Sequence, residues 1–382
     1  MSEAYEPLEK VSKNLRINWY RCPIEKEKLR ELTGRSDLRG FVQALGHLLL
    51  MAGTGLLTYY LFLQQAWVGF AFALYAHGIL AAFAWGTPGH ELVHGTVFKT
   101  KWLNRAFLYV FAMIGWQNFR EGEMSHTYHH KYTLHTVADR EVLLPLYPSL
   151  NAWYLLQLFT VNFTGGYESR GLIQVIRDTV RTALGKYRTD VTRVVGGAWL
   201  KAVFEEQPAH RKLAVIWARV ILLFHLVVIG VSIVFGLWLL PVLVTFPWCI
   251  GSWWRYFVGV TMHCGLRDNV PDFRKCTRSV TLDPVTEFLY WHMKWHTEHH
   301  MFAAVPCYNL KRLYRVIADD MPKPRTLVGA WREMRAVWKR QRTDPSYQFD
   351  TPVPEPAAAA GSASGQDPLA ASIGDLAPKV LR

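Results

Sequence analysis

Cysteine is scarce: Cys22, Cys249, Cys264, Cys276 and Cys307 are the only five in 382 residues, and no two form a CxxC pair. An odd, scattered set of thiols suits neither a disulfide framework nor an iron–sulfur run, so reduced thiols are expected. Basic charge is missing from two long stretches. No Lys or Arg occurs from Gly40 to Phe98, and no charged residue of either sign from Val220 to Trp254. Each block, the second extended upstream to about Leu213, can hold two spans of roughly 20 residues, the length that crosses a hydrocarbon core of about 30 Å. The start of the chain, with Glu3, Glu6 and Glu9, has no apolar run of the secretory kind and no transit-peptide composition, so the first span is expected to serve as the membrane signal. No G-x-G-x-x-G fingerprint for a flavin or nicotinamide is present.

What is present is apolar bulk: 51% of residues are hydrophobic and 16 are tryptophan. The expected spans are 41–63 and 67–85, turning at Gln64 and Gln65, then 213–235 and 238–257, turning near Gly236 to Pro241 with Trp238 at the tip. The fold class expected is therefore all-α: a multi-pass membrane protein of four transmembrane helices in two hairpins. A formal net charge of +13 lies outside these spans, in Lys10 to Arg39, Arg170 to Lys212 and from Arg255 onward. The positive-inside rule puts those segments and both termini in the cytoplasm, beside anionic headgroups. The basic residues form no nucleic-acid-binding module, so no nucleic acid partner is expected.

The apolar stretch Trp102 to Trp116 is short for a span and reads as an interfacial or re-entrant helix. Segments Asn118 to Arg211 and Arg255 to Phe349 suit a cytoplasmic helical cap. The organisation expected is a cytoplasmic segment 1–40, one membrane domain over 41–349, and a Pro/Ala/Gly/Ser-rich tail over 350–382 that cannot bury a core.

Eight of the 15 histidines fall in three clusters: His90 and His94; His126, His129 and His130; His296, His299 and His300. Spacings of three and four share one helix face, so each cluster aims its imidazoles at one point. Imidazole suits iron, copper, zinc and nickel, and eight exceed what one ion accepts, so two metals are implied. His90 to His94 also reads H-E-x-x-H, in which Glu91 would be the general base of a zinc metalloprotease. That reading leaves the other two clusters without a role, and Glu91 then becomes a carboxylate that orients a ligand histidine. Asp139, His292 and Glu298 are further candidates for that supporting role, with Glu141 and Asp268 also considered. His77 and His225 are expected to satisfy hydrogen bonds inside the membrane. His47, His135 and His210 are expected to be structural or solvated.

His90-Glu91-Leu92-Val93-His94, Ser125-His126-Thr127-Tyr128-His129-His130 and Trp295-His296-Thr297-Glu298-His299-His300-Met301-Phe302, leading into Val305-Pro306, resemble the membrane fatty acid desaturase and hydroxylase family. The resemblance spans about Phe41 to Leu313. It implies a cytosolic cap holding two non-haem iron ions, a tunnel for an acyl chain, and a ninth ligand after the fourth span, where His263 stands. The acyl-CoA branch carries an asparagine at the position that is Gly259 here, a departure that favours acyl-lipid or other lipophilic substrates.

An alkyl C–H bond has no acidic proton and no leaving group, so the metal must carry the hard step, with O2 as co-substrate. Loss of two hydrogens makes a desaturase. Gain of oxygen makes a hydroxylase or ketolase of a fatty acid, alkane, sterol or carotenoid, the alternative outcome of the same ligand set. No haem-binding cytochrome b5 segment occurs in the chain, so a separate ferredoxin or cytochrome b5 with its reductase is expected as electron donor. The setting would be a bacterial inner membrane or the endoplasmic reticulum, with the active site on the cytoplasmic side.

Overall fold

A computed structural model describes residues 8–139, 141, 150–165, 170–186 and 207–354. The tail from 355 and parts of the expected cap lie outside the described residues. The chain opens with two short helices, α1 (Leu8–Asn14) and α2 (Lys26–Leu32), which precede two long ones, α3 (Asp37–Leu63) and α4 (Trp67–Ala84). Ser36 caps α3 by accepting from the Arg39 N–H, and Asp37 lies in its first turn, where the helix dipole favours an anion. Gln65, at φ 55°, makes the tight reversal into α4, which packs against α3.

Gly86, at φ 95°, and Pro88 separate α4 from α5 (Thr87–Val93), which carries the first histidine pair. By length and hydropathy Trp67–Val93 qualifies as one span. Next come α6 (Lys101–Ile114), α7 (Phe119–Tyr132), α8 (Ala152–Phe159) and α9 (Leu172–Ala183), then α10 (Pro208–Phe235). The 14 residues of α6 extend about 21 Å, too short to cross a bilayer.

Three helices among the described residues are long and apolar enough to cross: Asp37–Leu63, Trp67–Val93 and Pro208–Phe235. Apolar side chains such as Leu56, Phe72, Leu226 and Val234 point outward from them, which suits lipid and not water.

The expected fourth span, 238–257, is not one helix. It breaks into α11 (Leu240–Val244), a 3₁₀ turn (Pro247–Cys249) and α12 (Trp253–Gly259). The cause is local: Pro241 and Pro247 cannot donate to a helical ladder, and Gly251 sits at φ 60°. The freed backbone groups are satisfied by other elements. Asn162 N donates to Cys249 O and Gly251 N to Thr160 O, each at 2.8 Å. His77 Nε2 donates to Leu243 O at 2.8 Å, and Trp116 Nε1 to Thr245 O at 2.8 Å. Irregular backbone at membrane depth requires such partners, and this gives His77 its structural reason. His225 is satisfied likewise, by Met113 O at 3.1 Å and by stacking on Trp116.

Gly78 of α4 sets how closely this broken segment packs. A Cβ there would stand 2.6 Å from Ile250 O and 2.7 Å from Ile250 Cβ. Gly78→Leu should therefore cost about 1–3 kcal/mol of overpacking, read as a lower melting temperature in detergent. An unchanged melting temperature would show that the two elements do not meet this closely.

Beyond α12 follow the short helices α13 (Phe273–Cys276), α14 (Pro284–Leu289), α15 (His296–Met301) and α16 (Leu310–Ile317), and then α17 (Leu327–Gln341). A two-residue parallel pair, β1 (Val280–Thr281) with β2 (Arg325–Thr326), ties α17 to the site region. Buried Arg278 bonds Glu333 of α17 at 2.7 Å.

Candidate metal centre

Helices α5, α7 and α15 each carry one of the histidine clusters, and His263 follows α12 after a single 3₁₀ turn. Helical spacing turns the imidazoles of each cluster to one side, and tertiary packing brings the four elements together. The nine histidines form two groups: His90, His94, His126, His130 and His299, and then His129, His263, His296 and His300. Within each group the candidate ligand atoms all lie within 4.8 Å of one another. The groups adjoin, since the His130 and His300 rings stack with centroids 4.2 Å apart.

Hydrogen-bond partners fix which ring nitrogen is free in the second group. Asp139 Oδ2 accepts from His129 Nδ1 at 2.8 Å, and the Cys276 carbonyl accepts from His263 Nδ1 at 3.0 Å. Thr133 Oγ1 spends its proton on His129 O at 2.6 Å, so it must accept from His300 Nδ1 at 2.9 Å. In these three imidazoles the neutral form keeps its lone pair on Nε2. Yet His263 Nε2 lies 2.8 Å from His296 Nε2, which lies 3.1 Å from His300 Nε2. The lone pairs of His263 and His300 both face His296 Nε2; a proton there could serve only one of them, whereas a cation ligated by all three satisfies both.

The first group shows the same convergence, with His90 Nε2 at 2.8 Å from His299 Nε2 and His94 Nε2 at 2.9 Å from His126 Nε2. Both ring nitrogens of buried His130 lack a hydrogen-bond partner, a costly state unless a metal uses one. Burial holds His94, His130, His296, His299 and His300 well below the usual imidazole value, which keeps them neutral and able to ligate. Burial opposes charge on His129 too, but the adjacent Asp139 carboxylate outweighs it and raises that imidazole.

Carboxylates surround the imidazoles without joining either group. Glu91, fully buried, stands 3.4 Å from His299 Nδ1. Glu141 lies 3.5 Å from His126 Nδ1, and Glu298 accepts from Ser279 Oγ at 2.6 Å. Burial pushes the Glu298 carboxyl up to about 7, against the pull of that hydrogen bond. The zinc-protease reading of His90 to His94 finds no support here. Five imidazoles gather where such a site needs three ligands and an open position, and Glu91 faces His299.

His292 stands outside both groups, its Nδ1 3.2 Å from Glu287 Oε1, and Gly259 would place a Cβ 3.6 Å from Tyr290 Oη. His47 donates to Leu80 O, His135 Nδ1 lies 3.2 Å from Thr133 O, and His210 reaches Arg120 O, so these three are structural. Thr133, Ser279 and the Cys276 carbonyl were not expected at the site. Thr133 was within reach of the helical spacing, four residues after His129, whereas a backbone carbonyl has no side-chain signature.

Asp139 anchors more than one atom, accepting also from Leu134 N at 2.8 Å and Glu141 N at 2.9 Å. Asp139→Asn should weaken metal binding at the second group by about 10–100-fold, measured by titration against a competing chelator. Unchanged affinity would remove Asp139 from the site.

No curated protein matches the chain. The model of the fatty acid desaturase family matches residues 65–331, well over half of the chain and inclusive of every histidine in the two groups. Paired imidazole clusters on helical elements, held by the stretch that the family model covers, place this chain in the fatty acid desaturase family.

Proposed function

We propose that the two imidazole groups hold two iron ions and that the chain introduces a double bond into a fatty acyl chain. In this reaction two hydrogens leave adjacent carbons, and with two external electrons and two protons they reduce O2 to two waters. The observation that carries the reading is the adjacency of two all-nitrogen groups, five and four imidazoles, with no carboxylate in either. Imidazole is a good ligand for iron, and thiolates are absent from both groups. When bound, an iron pair supplies the redox chemistry that activates oxygen to break an unactivated C–H bond.

The chain's own residues do the positioning. His129, His263 and His300 are oriented by Asp139, the Cys276 carbonyl and Thr133, so their Nε2 atoms are aimed before any ion binds. Glu91 and Glu298, both buried, lie where they can offset positive charge brought into the site. The nine histidines are at most partly exposed, and seven of them are buried, which limits water at the reacting carbon. A displacement of about 1 Å there can change rate by roughly 100-fold, so this scaffold is what separates substrate carbons.

We infer further that segment 238–257, though broken, completes a second hairpin with α10, and that the cap and site face the cytoplasm. The basic residues flanking the spans support that orientation. The electron donor is then a separate cytoplasmic protein.

Mass spectrometry of lipids from cells producing the chain tests the reaction. A product lighter by two hydrogens is expected. A product heavier by one oxygen would move the assignment to the hydroxylases.

A further inference from the structure

External electrons must cross the cap to reach buried imidazoles, and the following inference rests on the oxygen-dependent reading above. Half-buried Trp19 stacks on fully buried Phe273, with ring centroids 4.0 Å apart and planes within 10°. Phe273 in turn lies 5.8 Å from the ring of His300, a member of the second group. The strap that carries Trp19 is pinned in place. Trp19 Nε1 donates to Lys131 O at 3.0 Å, and Tyr20 N donates to Pro271 O at 2.8 Å. Two ring contacts thus join the protein surface to a candidate ligand, and neither ring has another role in the site.

Electron tunnelling weakens steeply with distance and with gaps in packing, so closely stacked rings are favourable bridges. The surface around Trp19 is basic. Exposed Arg16 precedes it on the strap and exposed Lys131 lies where the indole N–H is bound, whereas Lys275, two residues after Phe273, is paired with Asp350 at 3.0 Å. The nearby Asp272 carboxylate is occupied by Arg274 at 2.9 Å. Such a rim, on a chain of net charge +13, selects an acidic partner.

We propose that an acidic one-electron carrier protein docks over Trp19 and that its electrons pass through Trp19 and Phe273 to His300. Each carrier is oxidised by one electron and the metal group behind His300 is reduced by one. Two encounters supply a turnover, and both rings end unchanged.

The test uses the full-length, iron-loaded protein with two acidic probes, a reduced plant-type [2Fe–2S] ferredoxin and the soluble haem domain of cytochrome b5. Binding is measured by titration and metal reduction by anaerobic stopped-flow. Arg16→Glu with Lys131→Glu should slow association roughly tenfold at low salt, an effect lost at high salt. Trp19→Leu should slow reduction severalfold even at saturating carrier, where any loss of affinity is made up, and Trp19→Phe, which keeps a ring, should recover most of the rate. Failure of both probes to bind would overturn the partner. Wild-type reduction in Trp19→Leu would overturn the route, as would a slowing found instead in Tyr314→Leu, where Tyr314 stacks on Trp295 beside His296. If the wild-type protein bound no iron pair or made no lipid product, the underlying function would fall. If both were intact and reduction were insensitive to Trp19, only the route would.

Discussion

His299→Ala should abolish lipid product while the protein still inserts, folds and retains about one of its two metals. His299 belongs to the five-membered group, where its Nε2 lies 2.8 Å from His90 Nε2. The other group, His129, His263, His296 and His300, keeps all of its members in this variant. In the proposed reaction both ions take part, so a single remaining ion should support no turnover. His129→Ala should empty the opposite group and have the same effect on product, with an added stability cost because Asp139, buried to 1% exposure, loses its imidazole partner. Lipid mass spectrometry and metal analysis of the purified variants check both. Full activity in either variant would remove that residue from the ligand set, and loss of both metals would show that the groups do not fill separately.

Acid should unfold the metal-free cap well before it affects an ordinary helical protein. His263 is held at about 3 by burial first, with the positive end of the His129–Asp139 pair adding to it, and burial holds His94, His130, His296, His299 and His300 well below 6.5. A depressed folded value means that below about pH 6.5 the unfolded chain binds more protons than the folded one. Stability from these groups is therefore complete above pH 6.5 and declines as pH falls, by about 1 kcal/mol per histidine per pH unit. His129 has the opposite sign. Its folded value is raised, so its contribution is complete below pH 6.5 and is lost as pH rises through that higher value. Six histidines oppose one, and the sum is a steep acid edge. Melting temperatures of the metal-free protein in detergent should fall sharply between about pH 7 and pH 5. Bound metal competes with the same protons, so the loaded protein should release its ions over a lower range. A flat profile would mean that the imidazoles are solvated and not packed together.

The convergence of the candidate histidines was legible because the information is local. Spacings of three and four within one short helix select a face whatever the rest of the chain does, and three such clusters are hard to reconcile with anything but a shared centre. His292 shows where that logic stops. It precedes His296 by one helical turn, but Trp291 and His292 sit at φ 50° and 57°, so the chain there is not helical and the ring turns to Glu287. Segment 238–257 failed for a related reason. Hydropathy counts apolar side chains, whereas Pro241, Pro247 and Gly251 decide whether the backbone can run as one helix. The strap bearing Trp19 was illegible because its meaning lies in contacts with Phe273 and Met301, more than 250 residues away. Long-range packing of that kind leaves no periodic trace.

Imidazoles from four separate stretches are proposed to enclose two adjacent iron ions. Iron-edge X-ray absorption on the purified protein, combined with metal quantification, tests it most directly. About two irons per chain, each in a shell of imidazole nitrogen without sulfur, is the predicted result. One zinc per chain, or iron in a sulfur shell, would contradict it.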